Sequence, residues 1–309
     1  MLTLISGGTG TPKLLQGLAE VVPQKDLSIV VNTGEDVEVT GLRVSPDLDT
    51  VVYTLAGIID DENWYGIKGE SFTTHEMLRT LGHSELLRIG DRDRGVMLYR
   101  TMRMREGASL SQVTKEICRE LRVEADVMPM SDDRITTRVD TEKGEMSFHR
   151  FWVARRAKDR VREVKFLNSE KASPAPGVVE ALDESEFIII GPSNPITSLG
   201  PVLAVEGIRS ALVRNRSGVL AVSPVIGNAP VSGPTGVLME GLGYEVNPVS
   251  VAEIYQDFVS MFFLHEKDRN FSSEIENLEM DVFLEDILMP DLSSRIKLAQ
   301  RILRTLGYE

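Results

Sequence analysis

The apolar run Leu2-Thr3-Leu4-Ile5 stops at Ser6-Gly7-Gly8-Thr9-Gly10, and Thr11-Pro12-Lys13-Leu14-Leu15 follows. A run of that length ending in glycines reads as a buried strand. Thr11 is a good N-cap, and Pro12 at a first helical position has the φ a helix start needs. The chain therefore opens as strand, glycine loop, helix. Residues 27–31 repeat the strand signal and end in Asn32-Thr33-Gly34-Glu35-Asp36. A helix over 48–59 follows Ser45-Pro46-Asp47. The rhythm returns with strands at 187–190 and 218–222, a helix over 202–214, and amphipathic helices over 250–265 and 293–306. Strands alternating with helices imply a mostly parallel sheet covered on both faces. The expected fold is α/β and Rossmann-like, with an inserted α+β subdomain.

That insertion is expected because the middle changes character. Helices are predicted over 74–81 and 95–104, and Ser109 with Gln112 makes a capping box for a helix through Leu121. Residues 135–140 and 146–153 then alternate around the turn Glu142-Lys143-Gly144, a hairpin signal, and 154–175 is charge-rich. The chain has 309 residues, or about two units at roughly 150 residues per domain. The expected division is a core of 1–60 plus 176–309, and an inserted helical and β-hairpin unit of 61–175.

Composition narrows the function classes. Lys and Arg number 34 against 47 Asp and Glu, a net charge of −13, which argues against coating nucleic acid. One cysteine, Cys118, excludes a disulfide framework and a cysteine-based zinc cluster. The N-terminus lacks the charged start of a signal peptide. No stretch approaches the ~20 apolar residues of a membrane span. The expectation is a cytoplasmic protein, with a homodimer as the base-rate assembly.

Ligands of an open parallel sheet bind beyond the carboxyl ends of its strands. Four strands here end in small polar turns, at residues 7–11, 32–36, 191–194 and 223–227. Short side chains there let backbone N–H groups approach an anion, so a phosphate-rich ligand is expected. The first loop is not a dinucleotide fingerprint, because Lys13 replaces the third glycine, and it is not a P-loop. Lys13 either aims a cation at phosphate or is an ordinary helix lysine. Asp47 and Asp49 flank a helix start near that loop. As hard oxygen donors they suit Mg²⁺, although capping alone accounts for Asp47. The run Arg88-Ile89-Gly90-Asp91-Arg92-Asp93-Arg94 reads as a structured loop able to clamp an anion, or as a solvated charge run. Met128-Pro129-Met130-Ser131-Asp132-Asp133 is a weaker case of the same kind. The four histidines have no metal-ligand spacing, and there is no Gly-x-Ser-x-Gly elbow. Phosphate cradles with carboxylates and arginines, and no covalent nucleophile, suit transfer by positioning and electrostatics.

These stretches, taken together with Pro129-Met130-Ser131-Asp132, Gly191-Pro192-Ser193-Asn194-Pro195 and Ser223-Pro224-Val225-Ile226-Gly227, resemble the 2-phospho-L-lactate transferases of deazaflavin coenzyme (coenzyme F-420) biosynthesis. The resemblance runs to about residue 240. It implies a guanosine diphosphate-activated lactate or enolpyruvate donor whose substituted phosphate passes to the ribityl hydroxyl of the deazariboflavin Fo, releasing GMP. It further implies Mg²⁺ on the diphosphate and Asp49 with Arg88 at the Fo site, Asp47 beside them; Asp47 and Asp49 are the expected catalytic residues, with Asp49 either a Mg²⁺ ligand or the acceptor that orients or deprotonates the ribityl hydroxyl. Gly8, Thr9, Gly10, Thr11, Lys13, Ser193, Asn194, Ser223 and Gly227 would hold guanylyl and phosphate groups. A related family of nucleotide-sugar-binding regulators of central metabolism shares the glycine loop and stands as the non-enzymatic alternative. The fuller 45–50 and 88–93 pattern favours the transferase.

Overall fold

The computed structural model describes residues 1–308. Its centre is a parallel sheet of seven strands, running across the molecule as Asp281–Glu285, Met261–His265, Val219–Val222, Phe187–Ile190, Leu2–Ser6, Leu27–Val31 and Asp126–Pro129. The first strand in sequence lies between the second and the fourth, so the winding direction reverses beside it. This is the Rossmann order, and the reversal opens a crevice beyond the ends of Leu2–Ser6 and Phe187–Ile190.

Leu2–Ser6 and Leu27–Val31 are buried along their whole length, and Phe187–Ile190 beyond its first residue. Alternate residues feed opposite faces. Val30, Ile188, Ile190, Ala221 and Phe262 join one apolar core, while Ile29, Val31, Ile189, Leu220 and Phe263 join the other. Helices cover both cores. Gly10–Ala19 crosses Leu292–Leu306 so closely that a Cβ on Gly17 would lie 2.3 Å from the Arg295 carbonyl oxygen. Asp291 caps the latter helix by accepting the Ser294 N–H at 2.8 Å, and Gly307 ends it in the left-handed conformation at φ +67°.

The segment 61–175 is not confined to one side. Its helix Leu110–Glu120, which carries the expected capping box and the buried Cys118, packs on the main sheet, and Asp126–Pro129 is the sheet's edge strand. The remainder includes helices Thr73–Thr80 and Asp91–Arg105 and an antiparallel sheet of Gly144–Ser147, Thr136–Thr141 and Val161–Leu167.

Several elements differ from the sequence reading. Residues 250–265 are a helix, Pro248–Tyr255, followed by the strand Met261–His265. Apolar residues on both sides of the junction imitate one continuous stripe. The hairpin's second strand ends at Ser147, and Arg150–Ala154 makes a π-helical turn. Val161–Leu167 is a strand whose outward charges hid its alternation. The helix expected over 202–214 is two short helices, Gly200–Leu203 and Ile208–Arg214, divided at Gly207 with φ +95°. Asp91 to Arg94 form the first turn of a helix rather than a loop. Among the described residues no helix is long and apolar enough to cross a membrane.

Candidate functional site

A cavity of about 580 Å³ lies in the crevice beside the winding reversal. Gly8, Thr9, Gly10, Ser193 and Asn194 line one end of it, Asp47, Asp49 and Asp93 line its acidic wall, and Arg88 lines it with Trp64, Phe148 and Trp152. Sequence-predicted residues from four separate segments therefore meet in one place.

The two loops at the polar end are fastened to each other. The Ser193 hydroxyl donates to the Gly7 carbonyl, sits 2.7 Å from the Thr11 hydroxyl, and accepts the Thr11 N–H at 3.2 Å. Glycine makes that approach feasible. A Cβ on Gly10 would lie 2.0 Å from the Pro192 carbonyl oxygen, and one on Gly191 would lie 2.2 Å from Thr11 Oγ1. Gly10 is thus required by the neighbouring backbone, a reason the sequence reading did not contain. Gly8 has φ +60°, the left-handed region that favours glycine. Thr11 is not the N-cap; it lies inside the helix's first turn, and Thr9 holds the cap position without a side-chain bond. The Asn194 side-chain oxygen Oδ1 accepts the Ile196 and Thr197 N–H groups at 2.9 and 3.3 Å, while its buried side-chain nitrogen Nδ2 has no partner. An unpaired donor at the cavity wall suits a phosphate or nucleobase acceptor.

Four other predicted phosphate contacts stand elsewhere or face elsewhere. Thr11 is spent on Ser193. Lys13 places its Nζ 5.4 Å from the Trp64 ring centre, with Arg295 Cζ at 4.6 Å from the same ring. Ser223 is buried and donates to the Val225 carbonyl at 2.7 Å, and the Gly227 N–H donates to Asp268 at 2.8 Å. None of these four lines the cavity.

The acids of this wall, Asp47, Asp49 and Asp93, are buried. Asp47 accepts the Asn32 amide at 2.9 Å, and the Gly8 N–H faces it. The capping role considered for Asp47 does not occur, since Ser45 holds the cap position. Burial lifts the Asp47 carboxyl to about 6 despite those two donors. Burial also raises Asp36 to about 8, against the Ser45 hydroxyl that donates to it at 2.6 Å. Glu35 is pushed well up by burial and then by the Asp47 charge, and Glu35 Oε1 has no hydrogen-bond partner.

Asp49 is differently placed. Both its oxygens accept from Arg100, Nη1 at 3.1 Å and Nη2 more closely, and both residues are buried. Burial works against the guanidinium charge, but the facing carboxylate overcomes it and holds Arg100 a cation. Asp49 therefore has its charge matched inside the protein, and the metal role expected of it meets a guanidinium already in position. Among the described residues no cluster of three or more His, Cys, Asp or Glu side chains is arranged around a metal position.

The charge run from Arg88 resolves into separate duties. Arg88 lays its guanidinium on the Phe72 ring, 3.7 Å from the ring centre. Gly90 leaves room for Glu70, whose carboxylate accepts the Arg92 and Asp93 N–H groups at 2.9 Å each and so caps the helix Asp91–Arg105. Asp91 accepts the Thr73 and Thr74 N–H groups at 2.9 and 3.0 Å, which caps the helix Thr73–Thr80. Arg94 pairs with Glu85 at 2.7 Å. Asp93 turns inward and accepts the Tyr53 hydroxyl at 2.8 Å.

Trp64, Tyr53 and Arg100 lie outside the motifs read from sequence, and Asp93 and Glu35 stand inside them with no role of their own. Asp93, Met97, Arg100 and Thr101 are the buried positions of one helix, at spacings of four, three and one. That helical stripe is a signal, but the charges surrounding it mask an inward-facing acid and base. Trp64 adopts φ +59°, uncommon for a bulky residue and invisible in sequence.

The chain matches the family described as 2-phospho-L-lactate transferase CofD over residues 2–287. It is 47% identical over 308 residues to the 2-phospho-L-lactate transferase of Methanopyrus kandleri, covering 98% of this chain and 96% of that one. It is 44% identical over 303 residues to that of Methanosarcina mazei, with 98% and 99% covered, and 43% identical over 306 residues to that of Methanococcus maripaludis strain S2, with 98% and 97% covered. Among solved structures, a UPF0052 family member from Bacillus halodurans superposes with a TM-score of 0.68 at 16% identity, over 98% of both chains, which establishes the shared fold.

Proposed function

This chain belongs to the 2-phospho-L-lactate transferase family, and from that premise we propose that it moves a phospholactyl or enolpyruvyl phosphate group from a guanosine diphosphate-activated donor to the ribityl hydroxyl of Fo, releasing GMP. The observation that carries the reading is the cavity's two-sided character. Its glycine-loop end offers backbone N–H groups and the unpaired Asn194 amide to a phosphorylated ligand. Its other end offers Trp64, Phe148, Trp152 and the planar Arg88 guanidinium to a flat heteroaromatic ring. The volume of about 580 Å³ lies in the range typical of small-molecule sites.

The proposed metal is Mg²⁺. Such an ion takes one or two carboxylates and completes its octahedron with phosphate oxygens and water. Asp47 and Glu35 suit it better than Asp49. Glu35 Oε1 is an orphaned oxygen, and the raised proton affinities of both carboxyls mark a place where a cation would relieve buried negative charge. When bound, the ion would offset charge on the diphosphate. The proposed assembly is a homodimer, checked by sedimentation velocity.

The test is a titration of the protein into Fo, followed by deazaflavin fluorescence, with GMP release measured on adding donor and Mg²⁺. Saturable Fo binding and stoichiometric GMP release are expected. No Fo binding at micromolar protein would refute the reading.

A further inference from the structure

We propose that Asp93 is a catalytic residue of this site, taking the proton from the acceptor hydroxyl as that hydroxyl's oxygen bonds to phosphorus. The assignment rests on the function proposed above and on the geometry of two neighbouring acids. Asp49 has both oxygens engaged by Arg100. Asp93 has one engaged, Oδ1, by the Tyr53 hydroxyl. Its Oδ2 makes no hydrogen bond among the described residues, and it lies 3.9 Å from where a Cβ on Gly66 would stand. Asp93 and Gly66 both line the cavity, so Oδ2 is beside the cavity wall and open to a ligand.

The surroundings fit the duty. The helix N-terminus at Asp91 fixes the Asp93 backbone through Glu70, and Tyr53 fixes the side chain. A proton acceptor held on both sides needs little reorganisation when the hydroxyl arrives. The charged and titratable groups facing Asp93 are Asp49, Tyr53, Arg100 and Glu70. Burial, aided by the Asp49 and Glu70 charges and opposed by Tyr53 and Arg100, sets its carboxyl at about 7. A base tuned near the working pH combines a useful ionised fraction with real proton affinity.

The step balances. A lone pair of the hydroxyl oxygen forms the new O–P bond, and its proton passes to Asp93 Oδ2. The P–O bond to GMP breaks, and its electron pair leaves on the GMP phosphate. The proton on Asp93 returns to water before the next turnover.

The decisive variant is Asp93→Asn in the full chain, because the Asn carbonyl can still accept the Tyr53 hydroxyl. kcat should fall by ~10²–10⁴-fold, Fo affinity by fluorescence should stay within about twofold, and the acid limb of the kcat–pH profile should flatten. Tyr53→Phe is the second variant and keeps the proposal testable if Asp93→Asn misfolds. It removes a bond that favours the ionised carboxyl, so the acid limb should move to higher pH. Turnover within a few-fold of wild type in Asp93→Asn overturns the assignment. An unmoved profile in either folded variant does the same, because it marks Asp93 as structural only. Failure of the wild-type protein to bind Fo or release GMP would instead remove the proposed reaction, and this role with it.

Discussion

Breaking the Asp49–Arg100 pair should cost stability out of proportion to the single bond count. Arg100 is 2% exposed and its side chain meets Asp49 through two N–H groups. Removing one partner of a buried pair leaves an uncompensated charge, typically ~3–5 kcal/mol. For Asp49→Asn the low end applies, because Asp36 and Asp93 also feel Arg100 and can ionise to offset it. At ~2.1 cal/mol/K of unfolding entropy per residue, a loss of about 3 kcal/mol lowers Tm by about 5 °C in a chain this long. Arg100→Met should cost a similar amount, since it strands Asp49 among other acids. The double variant should lie within about 2 kcal/mol of wild type, because an apolar side chain facing an amide carries no buried charge. Calorimetry of the four proteins at pH 7 gives the coupling directly. Additive losses, or single variants within about 1 kcal/mol of wild type, would refute the claim that the pair is a dry, mutually dependent unit.

Gly10→Ala should push the first loop off Pro192 and weaken GDP binding at least about tenfold, ~1.4 kcal/mol, with Fo binding nearly intact; calorimetric titration of both ligands checks it, and unchanged GDP affinity in a folded variant counts against the cradle. Arg88→Lys loses the flat face that lies 3.7 Å above Phe72, so the Fo KM should rise about 5–30-fold, worth ~1–2 kcal/mol, with kcat little changed; wild-type steady-state kinetics would reduce Arg88 to a surface group. Asp47, Asp93 and Asp36 are raised from 3.8 to about 6, 7 and 8. The folded state therefore holds protons the unfolded chain has released. Their stabilisation is complete below about pH 4 and is lost as pH rises through 6 to 8. The ligand-free protein should melt lower at pH 8.5 than at pH 5, and a rise across that window in a thermal-shift series would contradict the buried state of these acids.

The legible parts of the chain are those where local sequence and global fold agree. Leu2 to Lys13 announces strand, glycine loop and helix because its local signals agree with the fold, although Gly10 and Thr11 also answer to Pro192 and Ser193. The Ser109–Gln112 capping box is read for the same reason. The edge strand Asp126–Pro129 was missed because nothing in four residues says which neighbour they will find. The strand Met261–His265 was merged into a helix because full burial erases alternation. At the site, the backbone cradles and Asp47, Asp49 and Arg88 were visible as residue types out of keeping with their surroundings. The partner of Asp49 was not, because it stands 51 residues away on a helix whose outer faces are charged. Lys13 shows the opposite failure: neither reading open to it, a cation aimed at phosphate or an ordinary helix lysine, foresees the aromatic ring beside it.

The clasp between the first and fourth strand loops has a consequence for how the protein is made. Thr11 and Ser193 are 182 residues apart in the chain. A ribosome adding ~5–20 residues per second needs about 10–40 s to travel between them. Throughout that interval Leu2–Ser6 has a neighbour on one side only, and its other edge is an open row of unpaired backbone N–H and C=O groups. Nascent chains stalled before residue 190 should therefore bind holdase chaperones through Leu2–Ser6, and should release them once Phe187–Ile190 has left the exit tunnel. The ligand cradle cannot close until Ser193 is made, although its first half is synthesised first, so a product truncated before that point is an aggregation hazard rather than a partly active enzyme.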